Sequence, residues 1–440
     1  MSTRIGVGKG TVLVAALVFA GLGQQRLMAA TVQVGGCLIG PANFTTIQAA
    51  LTASPAGTTI DICPGTYKEQ VTINKNGIKL VGVSSGFAAN PVVTSPLGGV
   101  GANTTSLATS NPIAAQILVG GTATPALTGV NISSITVDGS NNQLSTCGAA
   151  TLVGIFYQNA SGMISQVATR NQTLAPGDGG CQNGLGIFVQ SGHSLTSTVT
   201  VQDSSVHSYQ KNGITGNEAG TTITVTENYI VGQGPTTGAA ENGIQIGFGA
   251  TGKITNNSVV DDIWAPDTIN DPGDAAAGIL IYAAAPTGGG ATINGNVVAD
   301  TQFGIAIITD LSSGPPANAW PIMQNMVSGT HIFDGIDVCS NGNNVTSNTV
   351  FSSDESAIHL DSSCGSTGSR NTVKNNTINE ACAGILVGTG TSGNTTSPNT
   401  INNAEHTILN ADSCTTPVFG ASRPGIAAAG QLRRPLPMRP

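Results

Sequence analysis

Charge is what this chain has least of. Of its 440 residues, 9% are Asp, Glu, Lys or Arg, where an ordinary soluble domain carries about 25%. The 15 basic side chains are outnumbered by 23 acidic ones, leaving a formal net charge of −8. A protein that holds nucleic acid by neutralising phosphates needs clustered Lys and Arg, so that class is excluded. Aromatics are 4% of the chain, which argues against an extended aromatic platform for sugar rings. Glu, Lys and Arg, the charged helix formers, are few, while Gly (59 residues), Asn and Thr abound; a helical protein is excluded as well. No CxxC pair occurs, which speaks against zinc sites and thioredoxin-type redox sites. After the first 30 residues no apolar run is long enough to span a bilayer.

What is present points to export. Arg4 and Lys9 precede the apolar run Thr11 to Leu22, the layout of a secretory signal, with cleavage expected after Ala30. The mature product is expected to be secreted, periplasmic or at the cell surface. The cysteines agree: Cys37, Cys63, Cys147, Cys181, Cys339, Cys364, Cys382 and Cys414 make an even set. Eight cysteines allow 105 connectivities. Chain order points to 37–63, 147–181, 339–364 and 382–414. Residues 31–415 read as one domain, and 416–440, rich in Pro with Arg433-Arg434, as a mobile tail.

The chain repeats. A small residue followed by Ile recurs from Gly154-Ile155 to Gly384-Ile385, at steps of 22 (Gly335 to Ala357) to 35 (Gly243 to Gly278) residues. A second phrase, Asn-x-Val/Ile, interleaves with it from Asn228 to Asn399. Short alternating strands at a variable period of about 20–40 residues define a solenoid. A strand of this kind cannot bury its apolar face alone; stacked coils bury it together. The shortest step suits one turn of a three-sided coil, and longer steps add a loop. The recurrent Asn is expected at a corner, hydrogen-bonding its equivalents above and below and tolerating left-handed backbone there. The Gly before Ile is expected to give the other corner the same freedom. Cys147 and Cys181 fall at nearly equivalent places on adjacent coils, as do Cys339 and Cys364, and a coil spacing of about 4.8 Å suits a disulfide. Phe44, Ile47, Ala50 and Leu51 follow helical spacing and predict a short helix capping the N-terminal end.

This pattern resembles the right-handed parallel β-helix of the pectin-lyase-like superfamily, over nearly all of the mature chain. The opening from Thr46 to Val83 is similar to those of pectin methylesterases, alginate epimerases and NosD-type periplasmic β-helix proteins. Gly65, Tyr67 and Glu69 match the GxYxE phrase of the methylesterases, which the resemblance makes a structural turn of the opening coil. The expected fold is therefore an all-β, right-handed parallel β-helix solenoid with a short N-terminal capping helix. The superfamily includes lyases, hydrolases, esterases, epimerases and adhesins, so the fold names no single activity.

The signatures of polygalacturonases, pectate lyases and pectin methylesterases are absent. Two constellations remain. By strand alternation the residue after Ile points outward, giving a column Gln245, Leu280, Ala306, Asp337, His359, Leu386. Asp337 and His359 become neighbours one coil apart, with Asp361 further along the same strand and Asp334 and Asp354 in flanking turns. A carboxylate beside a histidine suits proton transfer. Gly335-Ile336-Asp337 resembles the start of the DPH-containing phrase of alginate C5-epimerases, with Val338-Cys339 in place of Pro-His. Asp337, His359 and Asp361 are the catalytic candidates. The second constellation is the long step after Asn257, where Asp261, Asp262 and Trp264, with Gln245 from the column, are candidate substrate contacts. Asp267, Asp271 and Asp274 there are candidate ligands for Ca2+. The expected function is to bind or modify an extracellular, acidic polysaccharide, as a lyase or C5-epimerase. The alternative is a non-catalytic surface or adhesion protein binding glycan or protein. A monomer, with no nucleic-acid partner and no membrane insertion after cleavage, completes the expectation.

Overall fold

The computed structural model describes residues 30–84, 90–122, 125–175, 181–236, 239–264, 275–286 and 290–414. The signal segment, the C-terminal tail, and Asp267, Asp271 and Asp274 lie outside the described residues. The chain winds as a three-faced coil. One turn runs through Ser197–Gln202 on the first face, Ser205–Tyr209 on the second and Asn212–Asn217 on the third. The next turn repeats this with Thr221–Thr226, Tyr229–Val231 and Asn242–Gly247. First-face strands form a 13-stranded sheet, and the other two faces join in a 22-stranded one. Towards the C-terminus the last two faces fuse, as in Thr349–Leu360, Thr377–Val387 and Thr400–Asn410. Among the described strands pairing is parallel from coil to coil except for the short antiparallel contact of Thr104–Thr105 with Pro112–Gly120, and it keeps register apart from irregularities at Leu127–Val130 and Ser353–Ser356.

Register follows from burial. The Ile of the repeat stacks on its equivalent, Ile279 on Ile305, Ile305 on Ile336 and Ile336 on Ile358. All four are fully buried in one continuous core. Each such side chain contributes about 1.5–3 kcal/mol by leaving water, and a one-residue slip would turn the whole set outward.

The corner before the second face carries the predicted amide ladder. From Asn228 through Asn257, Asn296, Asn325, Asn348 and Asn376 to Asn399, each Nδ2 donates to the next Oδ1 at 2.9–3.0 Å. Each also donates to a carbonyl on the preceding coil, as Asn325 does to Ile293 O. The left-handed residue is the one before the Asn: Glu227, Asn256, Gln324, Ser347 and Asn375 have φ of 55–59°. The Asn is thus held for its hydrogen bonds, and its neighbour makes the turn. The glycines of the Gly-Ile phrase correct the expectation differently. Gly304 is not left-handed; a Cβ there would lie 2.3 Å from Val327 Cγ1 and 2.4 Å from Gly335 O. These glycines permit close approach of coils rather than an unusual φ.

The N-terminal end is closed by the predicted helix, α1 (Ile47–Ala53), which buries Ile47, Ala50 and Leu51. Thr46 caps it, and the Glu69 carboxylate accepts from Ile47 N and Gln48 N at 2.9 and 3.0 Å. Tyr67 donates its hydroxyl to Cys63 O at 2.8 Å. The GxYxE phrase is therefore the lock between the helix and the first coils. The four disulfides are 37–63, 147–181, 339–364 and 382–414, and such bonds belong to oxidising compartments. Among the described residues, no helix is long and apolar enough to cross a membrane.

Candidate functional site

The third face presents its outward column in register: Gln245, Leu280, Ala306, Asp337, His359, Leu386. Alternation alone would leave this column in water, yet much of it is buried. In the N-terminal coils the same column is apolar, with Phe156 and Phe188 stacked at 4.7 Å. A strap through Thr104 and Leu107 lies over it, hydrogen-bonded to Gln158 and Gln190. In the C-terminal coils the column turns acidic. There the segment following Asn410 folds back: Ala411 N donates to Val387 O, Cys414 N donates to Glu355 Oε1, and Cys414 is bonded to Cys382.

Asp337 and His359 are paired on adjacent strands and are 4% and 6% exposed. His359 is held from the corner by Asp334, whose Oδ2 lies 3.1 Å from its Nδ1. The other Asp334 oxygen accepts from Ser356 Oγ at 2.5 Å. Burial weighs against a charge on His359, but the Asp334 carboxylate and its hydrogen bond, with Asp337 and Asp361 nearby, push its pKa up to about 10. The imidazole is therefore held as a cation. Burial, and the neighbouring acids Asp334 and Asp361, lift the Asp337 carboxyl well above the usual range, with His359 opposing. Burial also raises Glu355, to about 8. Two polar atoms of the cluster are buried without a hydrogen-bond partner, Asp337 Oδ1 and His359 Nε2. With His359 charged, one is an acceptor lacking a donor and the other a donor lacking an acceptor.

The remaining candidates fall differently. Asp361 lies past the end of the strand and accepts from Ser363 N and Ser363 Oγ, closing a turn; it acts on the pair only through its charge. Gln245 has both ends of its amide engaged, by Asn212 and Asn217. Asp262 points into the coil, fully buried, and accepts from Tyr209 Oη at 2.6 Å, which takes it out of reach of any polymer. Asp261 is the left-handed residue beside it, with φ 64°. Trp264 is half-buried and is held by its backbone, which donates to Gln302 Oε1. The seven described candidates thus do not converge; Asp337 and His359 alone among them meet across neighbouring coils.

Two features escaped the sequence reading. Glu355 joins the cluster from the fused strand, where a register irregularity between Ser353 and Ser356 breaks the alternation rule. Phe303 and Phe333 stack at 4.6 Å with 14° between planes, both half-buried. They stand beside Asp334: Phe333 precedes it, and Gly304 N donates to Asp334 O. The signal for the pair was a Phe one residue before Gly304-Ile305 and another two residues before Gly335-Ile336.

The fold is a parallel β-helix. The A-module of the mannuronan C-5 epimerase AlgE4 from Azotobacter vinelandii superposes with a TM-score of 0.55 at 15% identity, over 83% of this chain and 92% of the module. The AlgE6 A-module from the same organism gives 0.50 at 16% identity, over 83% and 92%. A GH136 lacto-N-biosidase from Eubacterium ramulus gives 0.51 at 12% identity, over 85% of this chain and 68% of that one. No protein-family model and no curated protein sequence matches the chain.

Proposed function

We propose that this is an exported enzyme that modifies a polysaccharide by proton transfer, as a lyase or C5-epimerase of a uronate-containing chain. The observation that carries the reading is the buried Asp337–His359 pair, facing outward from the coil with one unsatisfied polar atom on each residue. Buried polar groups are almost always paired in a folded protein, and a charged imidazole beside a carboxyl is a proton-transfer couple. In the proposed reaction His359, charged by Asp334, faces the sugar carboxylate and stabilises the charge that builds when the C5 proton leaves. Asp337, when ionised, takes that proton. Return of a proton to the opposite face of C5 gives the epimer; loss of the C4–oxygen bond, with a proton delivered to the leaving oxygen, gives the unsaturated lyase product. No oxidant is needed in either case. The Phe303–Phe333 stack offers an apolar wall for a sugar ring beside Asp334. The structural neighbours, a mannuronan C-5 epimerase module and a lacto-N-biosidase, support a carbohydrate ligand. The disulfides and the leader-like N-terminus support export.

The low exposure of Asp337 and His359 favours a second reading, a non-catalytic surface or adhesion β-helix that binds glycan or a protein partner. NMR of pectate, alginate and methylated pectin incubated with the mature protein and Ca2+ separates the two. New unsaturated or inverted uronate signals, absent with His359→Gln, support the enzyme. Unchanged spectra for all three polymers remove it and leave the binding reading.

A further inference from the structure

We propose that Asp334, Asp337 and His359 form a binding site for a divalent transition-metal ion of the Zn2+, Co2+ and Mn2+ class. Each residue places one ligand atom within 4.8 Å of the other two, and all three are buried. Acidic clusters are common without a metal; this one differs in its orphaned atoms. Asp337 Oδ1 and His359 Nε2, on residues more than nine-tenths buried, have no partner in the protein, although an unmet buried polar group costs about 1–3 kcal/mol. A divalent cation that displaces the imidazolium proton into the solvent would take the freed Nε2 lone pair and Asp337 Oδ1 as ligands and so satisfy both atoms at once.

The donor set decides the kind of cation. Ca2+ takes six to eight oxygens in a roomy shell, whereas one imidazole nitrogen with two carboxylates suits a smaller ion that accepts nitrogen. The scaffold suits it too. Asp337 and His359 occupy equivalent rungs of neighbouring coils, and Asp334 is tied to Ser356 from below, so the ligands are presented by strands and a corner rather than by a loop. A second grouping, Cys339, Asp361 and Cys364, has similar proximity, but its sulfurs are joined to each other and offer no thiolate.

A metal here would occupy the same imidazole and carboxylate that the proposed proton transfer uses. Bound metal therefore silences the enzyme; that consequence rests on the catalytic reading, while the binding itself does not. The test is a Co2+ titration of the metal-stripped mature protein, followed by visible absorption and calorimetry, with millimolar Ca2+ as competitor. One equivalent is expected, undisplaced by Ca2+ and weakened at least tenfold in His359→Gln and Asp337→Asn. Absence of a saturable single site in the wild-type protein overturns the proposal, as does displacement by Ca2+ at equal ease. Full affinity in both variants, with native circular dichroism, overturns it too. If a variant fails to fold, the wild-type stoichiometry and Ca2+ competition still decide. The polysaccharide spectra, recorded separately in EDTA, bear on the catalytic reading alone.

Discussion

The hydroxyl of Tyr209 donates to Asp262 Oδ1 at 2.6 Å inside the coil, although the two residues are 53 apart in sequence. Glu241 is buried close by, accepting from Gln233 N and Gln233 Nε2 at 2.8 and 3.0 Å. Burial lifts Asp262 well above the ordinary carboxylate range and Glu241 to about 8; for Glu241 the Gln233 bonds and Lys211 oppose burial, and Asp261 adds to it. A carboxyl whose pKa is higher in the folded state keeps its proton longer there than in the unfolded chain. Stability must then fall as pH rises from the unfolded value near 4.5 to about 8, by about 1.4 kcal/mol per pH unit for each such carboxyl at the steepest point. The melting temperature is expected to be higher at pH 5 than at pH 8. Glu241→Gln should flatten that slope while costing about 1 kcal/mol at pH 5 for one mismatched hydrogen bond. An identical slope in the variant would show that Glu241 is not its source.

Asp337→Asn should separate stability from activity. Burial lifts the Asp337 carboxyl well above the usual range, so Asn replaces a group that keeps its proton and the melting temperature is expected to hold. Turnover on the responsive polymer is expected to fall by about 10²–10⁴, the usual weight of a general acid or base. His359→Gln should lose as much activity, and should also lower stability by leaving Asp334 buried without its cationic partner. Turnover retained by both variants would remove the pair from the chemistry.

The amide ladder makes a positional prediction. Asn325 Oδ1 accepts from Asn296 N, and its Nδ2 donates to Ile293 O. Asn325→Ala therefore strands two backbone groups inside the coil, at about 1–3 kcal/mol each. Asn399, at the end of the ladder and only half-buried, has water to replace its bonds, so Asn399→Ala should cost about 1 kcal/mol. Urea unfolding of the two variants checks the ranking; equal losses would mean that the ladder is decorative.

Cys382–Cys414 holds the returning segment against Glu355. Replacing both cysteines by Ser removes a cross-link spanning 32 residues, worth about 3 kcal/mol. It should also loosen the cover over the acidic cluster. Backbone hydrogen exchange across residues 355–360, followed by mass spectrometry, is expected to accelerate in the double variant. An unchanged rate would mean that the strap does not cover the cluster.

The coil was legible because stacking makes the same demand on every turn: Ile305 and Ile336 are alike since each packs on the other. The disulfides 147–181 and 339–364 followed from the same equivalence, while 37–63 and 382–414 followed only from chain order. Finer backbone detail was not legible. An Asn suits both a left-handed corner and a ladder, and only coordinates distinguish Asn256, which turns the chain, from Asn257, which bonds. The outward direction of Asp337 and His359 could be read from alternation. Their burial could not, because it depends on residues 411–414, more than 50 positions downstream of His359. Asp262 is a candidate substrate contact from sequence because it opens a long acidic insertion of the kind that lines a β-helix groove, but the structure buries it fully next to left-handed Asp261.

The two ends of the stack are unequal. Helix α1 plugs the first, but Thr400–Asn410 pairs only with Thr377–Val387 among the described residues, and Ile408, the counterpart of buried Ile385, is 43% exposed. In the language of crystal growth, among the described residues one end face is poisoned and the other is a template: a further parallel strand laid on Thr400–Asn410 would find eleven residues of backbone, with Ile401 and Ile408 on its face. Shortening the chain by one coil would not remove that face. It would present the same template again, built from Ile378 and Ile385, a more apolar strand than Thr400–Asn410.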